Sequence, residues 1–341
     1  MDWEALKDSI LDGQTILFLG QGMTYNYQKP QNEFLVFEQI AQELGENALA
    51  LHQKDGLFIL KNAKKRQLVA KLKAFYEQDF SNPLLEKLAE IPFHLIVHIT
   101  PDISLKKVFE SKSFPFEHAY YKLHKKEVLT EPTPSKPLIY HLFGCVEGGK
   151  DDLYIEHTDL FNYVRSIYNP HSAPPEVIMS HFTKEKTDTI VFLGCDFDKW
   201  YFQLILHLLK IDEIKSSNTS LIQKDFYSDW KQVFEEGFQV KFIDDDLEEF
   251  VNTLYACFEP SELRKAAEKP DFDIKAFKEK LQTEVDQGEY NKVFAEIDDH
   301  TAHLMYDQHL FNRLRSEMSF KITLDLIQQL KTFITTLQYK A

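Results

Sequence analysis

Two glycine turns stand where a nucleotide could be held. Gly20-Gln21-Gly22-Met23-Thr24 follows the apolar run Thr15–Leu19 directly, and Gly194-Cys195-Asp196-Phe197-Asp198 follows the apolar run Thr189–Leu193. Glycine lets a chain turn sharply and lets backbone N–H groups approach a phosphate. The end of a buried strand, opening into a helix, is the right setting for such a turn. The first turn lacks the third glycine of a dehydrogenase fingerprint, and no acid closes the second strand to hold a ribose. Asp196 can accept bonds from ribose hydroxyls. The alternative is two tight turns without a ligand, with Asp196 or Asp198 capping the helix that follows.

A second group of residues could move protons. Side chains two apart on a strand share a face. His98 therefore shares a face with Thr100 and, if the strand continues, with Asp102. His141 shares one with Phe143, about 7 Å further along. Two histidines, a threonine and an aspartate thus converge on one crevice. A neutral imidazole near pH 7 is a good general base, and His141 is preferred over His98 for that role. The alternatives are histidines satisfied within the core and an Asp102 that caps a helix over 103–109.

The elements that position these residues are legible as runs. Thr15–Leu19, 93–99, 138–143, Thr189–Leu193, 220–223 and 240–243 are short, apolar and bounded by turn residues. Such runs are typical of strands buried on both faces of a parallel sheet. Segments with helical spacing lie between them, at 34–44, 67–76, 160–167, 200–209 and 247–258. This alternation predicts an α/β, doubly wound, mainly parallel Rossmann-like sheet of about six strands. The strand pattern stops near 259–272, which holds Pro260, Pro270 and many charges. Beyond it, 274–285, 290–297, 302–315 and 322–337 read as amphipathic helices. The expected organisation is a nucleotide-binding domain over 1–258, a linker over 259–272 and a small all-helical domain over 273–341. The last is either an interaction module or a lid on the first domain.

Composition narrows the function. The 341 residues carry a formal net charge of −15, which disfavours binding to phosphate backbones, so no nucleic-acid partner is expected. Three cysteines without Cys-x-x-Cys spacing exclude an all-cysteine zinc site, and no metal is expected. No apolar run reaches about 18 residues, so no membrane span is expected. The first eleven residues carry Asp, Glu and Lys and lack the apolar stretch of a signal peptide, which places the protein in the cytoplasm.

The order of these motifs resembles the sirtuin-like NAD-binding domain of bacterial antiphage defence proteins, over roughly residues 1–258. That family's Gly-Ala-Gly turn is similar to Gly20-Gln21-Gly22-Met23-Thr24. Its Thr-Thr-Asn-x-Asp segment is similar to His98-Ile99-Thr100-Pro101-Asp102. Its His-Gly pair is similar to Phe143-Gly144, and its aliphatic-Gly strand end to Phe192-Leu193-Gly194-Cys195. Its closing strand, acid and Glu-Phe helix are similar to 240–243, Asp244 and Glu249-Phe250. The resemblance implies NAD or ADP-ribose as ligand. Gly20, Gln21, Gly22, Met23 and Thr24 would hold the phosphates, with Gly194 and Cys195 beside the adenosine and Asp196 at a ribose. Thr100 stands at the family's Asn position and Phe143 at its His position, so NAD hydrolysis by the family's usual means is not expected. The segment 277–297, with Gly288 between two helices, resembles the small effector-associated domains of bacterial conflict systems. That implies a partner protein, or a second copy of the chain, recruited through the C-terminal helices. Three functions follow: a nucleotide-binding component of a defence system, an active NAD glycohydrolase, or a structural adaptor with an empty pocket.

Overall fold

A computed structural model of the chain describes residues 1–20, 22–25, 49–52, 57–60, 65–76, 82–123, 127–149, 152–167, 172–197, 199–214, 218–222, 231–244, 246–266, 274–301 and 304–339. The helix expected over 34–44 lies outside the described residues. The chain divides into two compact units, Met1–Ala267 and Glu268–Ala341.

The first unit is an α/β fold. Its strands are β1 (Thr15–Leu19), β2 (Leu49–His52), β3 (Leu57–Leu60), β4 (Leu95–His98), β5 (Glu117–Tyr120), β6 (Leu138–His141), β7 (Thr189–Leu193), β8 (Asn218–Ile222) and β9 (Val240–Asp244). Seven of them form one sheet in the order β5-β6-β4-β1-β7-β8-β9, with every neighbouring pair parallel. β2 and β3 make a separate antiparallel hairpin. Every residue of β1, β4, β6 and β7 is buried, as their unbroken apolar runs require. Alternation divides them between two core layers. Ile16, Phe18, Val97, Tyr140 and Phe192 pack with the helices at His157–Ile167 and Trp200–Leu208. Leu17, Leu19, Ile96, Ile139 and Leu193 pack with those at Trp3–Leu11, Pro83–Glu90, Ser104–Ser111 and Leu247–Ala256.

The sheet has one strand more than the apolar runs indicate. β5, with the sequence Glu-His-Ala-Tyr, is an edge strand in which only Ala119 is buried. A half-solvated edge needs no apolar run, so composition conceals it.

The winding of the sheet places the site. From β1 the chain builds β4, β5 and β6 on one side, then crosses to build β7, β8 and β9 on the other. The reversal falls between β1 and β7, and crevices at such switch points are where open α/β sheets bind ligands. Both strands end in a glycine turn. Register brings the neighbouring strand ends level, with Leu19 opposite His98 and Leu193, and His141 opposite His98 and Tyr120.

The first unit extends past the boundary expected at residue 258, because Arg264 is built into it. Its guanidinium donates from Nε to the carbonyl of Ala89 at 2.9 Å, from Nη2 to those of Ile91 and Phe93 at 3.1 and 3.0 Å, and from Nη1 to that of Pro134. Pro260 and several charges give 259–266 the look of a linker, yet Arg264 anchors this stretch. The second unit packs helices Ile274–Asp286, Tyr290–Asp299, Gln308–Phe320 and Leu324–Thr336 around Leu281, Phe294, Phe311, Leu330 and Phe333. Its third helix starts later than the apolar spacing suggests. Leu304–Met305 pairs as a short strand with Gln338–Tyr339, and Asp307 then caps the helix by accepting from the N–H of Leu310 at 3.0 Å. Among the described residues no helix is long and apolar enough to cross a membrane.

One buried pair makes stability depend on pH. His94 Nε2 lies 3.2 Å from His181 Nδ1, and burial, with the neighbouring His181, holds the His94 imidazole down to about 3. The unfolded chain takes that proton near 6.5, so the contribution is complete above that pH and is lost as pH falls toward 3. His94 should therefore remove about 2 kcal/mol of stability between pH 7 and pH 5. Urea denaturation at the two values, compared with His94→Phe, checks this. Equal losses in both proteins would refute it.

Candidate functional site

The two glycine turns lie against each other. The N–H of Gly20 donates to the carbonyl of Leu193, and that of Gly22 to the carbonyl of Gly194, both at 2.9 Å. The Met23 N–H donates to the Gly20 carbonyl at 3.1 Å. These three amides, expected to face a phosphate, are thus engaged within the protein. The contact is close enough to demand glycine. A Cβ on Gly20 would lie 2.3 Å from the Gly194 oxygen, and one on Gly22 2.9 Å from the Gly194 Cα. Gly194 itself has φ +66°, and its Cβ would lie 2.6 Å from the Met23 nitrogen. Gly22 opens the one-turn helix Gly22–Tyr25, so space rather than a positive φ excludes a side chain there.

The other residues of the turns differ in kind. Met23 is buried and its side chain belongs to the apolar core beneath, and its N–H is held by the Gly20 carbonyl, so it turns no free donor to a ligand. Its carbonyl accepts from the side-chain amide of Asn82 at 2.5 Å. Gln21 and the side chain of Thr24 lie outside the described residues, as does Asp198. Cys195 Sγ points back at the carbonyls of Leu193 and Phe18, at 3.8 and 4.0 Å, and burial pushes its thiol far up. Asp196 is exposed, with Lys199 Nζ at 3.9 Å. The N-cap of the helix Trp200–Leu208 is Lys199, whose side chain makes no cap bond.

His98, Thr100, Asp102 and His141 do come together, each buried to within 3% exposure. The Thr100 hydroxyl donates to Asp102 Oδ2 at 2.6 Å, and Asp102 Oδ1 accepts from the Ser104 N–H at 3.0 Å. Asp102 thus fastens the start of helix Ser104–Ser111 from one residue ahead of its N-cap, Ile103. Burial works to raise its pKa, but His98, the Thr100 hydroxyl and the Ser104 amide together hold it low. His141 Nδ1 lies 2.9 Å from the Thr100 carbonyl. Since a carbonyl only accepts, this contact fixes the proton on Nδ1 and leaves a bare lone pair on Nε2. The ring centroid of His98 is 4.8 Å from that of His141. Burial holds His98 down to about 3 and lowers His141 as well, so both rings are neutral at pH 7.

Phe143 does not share the face of His141. The strand ends at His141, and the turn that follows sends the Phe143 ring toward Tyr163 and Tyr201, with centroids 5.3 and 5.9 Å away, in the opposite core layer. The two-residue period holds only as long as the strand does. Gly144 makes the turn with φ +77°, and a Cβ there would lie 1.6 Å from the Asp152 oxygen.

Two residues complete the group that sequence reasoning left out. His118 comes from the polar edge strand β5, with its ring centroid 5.0 Å from His141's. Cys145 is fully buried in the turn after β6, and the Val146 N–H bonds to the Pro101 carbonyl at 2.9 Å, tying that turn to the end of β4. The His118 and Cys145 signals were single residues without a spacing motif. Nε2 of His118, Nε2 of His141 and both nitrogens of His98 are buried, with no hydrogen-bond partner among the described residues.

Residues 102–228 match the family model of a SIR2-like domain. The matched stretch carries Asp102, His118, His141, Cys145 and the second glycine turn, and stops short of the first. Comparison with curated proteins finds no match.

Proposed function

We propose that the first unit is a SIR2-like module that binds NAD or ADP-ribose in the crevice between β1 and β7, with little or no turnover of its own. The observation that carries this reading is the SIR2-like match over residues that build one wall of a switch-point crevice, where both flanking strands end in glycine turns. The nucleotide lies over the fused turns of Gly20, Gly22 and Gly194. Cys195 flanks the adenosine, and Gln21 and Thr24 take the phosphates. Asp196 accepts from ribose hydroxyls.

Hydrolysis is slow on this reading because Thr100 and Phe143 replace the groups that would handle water and proton. The Thr100 hydroxyl is already committed to Asp102. What turnover remains runs through the bare Nε2 of His141, with His98 behind it, and this is the observation that favours residual NAD glycohydrolase activity. The module acts in the cytoplasm in bacterial defence, and the helical unit recruits a partner protein or a second copy of the chain. Phe320, Ile322 and Leu324, exposed at 88%, 51% and 86% on one helix–helix turn, supply an apolar surface for that contact.

Asp196→Ala tests the site without disturbing the fold, because the side chain is exposed. Losing a hydrogen bond to a charged group should weaken ADP-ribose binding about 10- to 100-fold. Isothermal titration of both proteins reads this directly. Binding by the wild type that is unchanged in the variant removes Asp196 from the site, and no binding by the wild type leaves an adaptor with an empty pocket.

A further inference from the structure

We infer that His118, His141 and Cys145 form a buried site for a zinc-class divalent metal ion. One ligand atom from each lies within 4.8 Å of those of the other two. Atoms around a tetrahedral zinc are about 3.3–3.8 Å apart, so the side chains need to close by about 1 Å.

The surroundings of the two histidines point the same way. His141 Nδ1–H donates to the Thr100 carbonyl, and His118 Nδ1 faces the Glu147 carboxylate at 3.5 Å. Glu147 is in turn held by Lys106 Nζ at 2.5 Å. Each ring is thus approached from its Nδ1 side, and its buried Nε2 has no hydrogen-bond partner among the described residues. A ligating histidine is fixed in this way, by a carbonyl or carboxylate on the nitrogen away from the metal. Buried polar atoms are rarely left unpaired, and both rings belong to one cluster with the buried thiol of Cys145. Two imidazoles and one thiolate suit zinc better than a hard cation such as magnesium.

Coordination breaks the Cys145 S–H bond, forms a sulfur–metal bond and releases the proton to solvent. With the ion bound the lone pair of His141 is coordinated, so the residual turnover assigned to that nitrogen belongs to the metal-free protein. This inference is independent of nucleotide binding, since none of its three ligands belongs to the glycine turns.

The test uses the full chain, free of any histidine tag, incubated with Zn²⁺ and dialysed. Elemental analysis should find about one zinc per chain. Cobalt(II) in its place should give thiolate-to-metal charge-transfer absorption together with visible bands of a tetrahedral site. His118→Gln and Cys145→Ser should each lower retained zinc at least tenfold, whereas His207→Ala, at an exposed histidine elsewhere, should retain it. Should either cluster variant fail to fold, the wild-type cobalt spectrum still decides. Wild-type protein that retains no zinc, or a cobalt spectrum without the thiolate band, overturns the assignment.

Discussion

Gly194→Ala is expected to lower the melting temperature of the first unit by about 10 °C and to weaken ADP-ribose binding at least tenfold. Two costs combine. A residue with a Cβ at φ +66° is strained by about 1–2 kcal/mol. The new methyl would also lie 2.6 Å from the Met23 nitrogen and 2.9 Å from the Gly22 Cα, both backbone atoms that flexible side chains cannot yield for. Relieving that overlap costs about 1–3 kcal/mol more and drives the two turns apart. The separation breaks the bonds from Gly20 to Leu193 and from Gly22 to Gly194, which shape the crevice floor. Calorimetric melting and nucleotide titration measure the two effects together. An unchanged melting temperature would show that the turns are not packed as described. A large loss of stability with full nucleotide affinity would move the ligand away from them.

Arg264→Ala should remove about 3–5 kcal/mol of stability from the first unit. The guanidinium is buried, and burial lowers its pKa to about 9. No carboxylate among the described residues forms an ion pair with it. Four backbone carbonyls, of Ala89, Ile91, Phe93 and Pro134, take its donors instead, and its charge lies over the Phe109 ring at 5.2 Å from the centroid. Truncation leaves those carbonyls facing a cavity. Lysine offers one point of charge where a planar fork is needed, so Arg264→Lys should recover little. Lys265→Ala, at an exposed position of the same stretch, should change stability by less than about 0.5 kcal/mol. Urea denaturation orders the three variants. Similar midpoints for Arg264→Ala and Lys265→Ala would return 259–266 to the status of a linker.

The fold was legible wherever burial on both faces wrote it into the sequence. Thr15–Leu19 and Thr189–Leu193 are strands over the whole of their apolar runs, and both end in the expected glycine turns. The convergence of His98 with His141 follows from period-two geometry and parallel register. What stayed hidden has physical reasons. β5 lies at an edge and carries Glu, His and Tyr, so His118 had no apolar run to announce it. Cys145 reaches the group through a turn, where no periodicity operates. Phe143 left the face of His141 for the same reason. The amides of Gly20 and Gly22 were assigned to a phosphate because sequence shows their availability and not their partners across the sheet.

On the proposed function, the crevice between β1 and β7 holds a nucleotide while hydrolysing it poorly. Incubating the purified chain with NAD, then quantifying bound nucleotide and released nicotinamide, tests both halves at once. A positioned base is worth about 10²–10⁴ in rate, and the best remaining candidate, His141, is buried at 1% exposure. The expected result is stoichiometric bound NAD or ADP-ribose with nicotinamide release that is slow or undetectable and is abolished by His141→Ala. Absence of any bound nucleotide, or fast nicotinamide release that survives His141→Ala, would contradict the account.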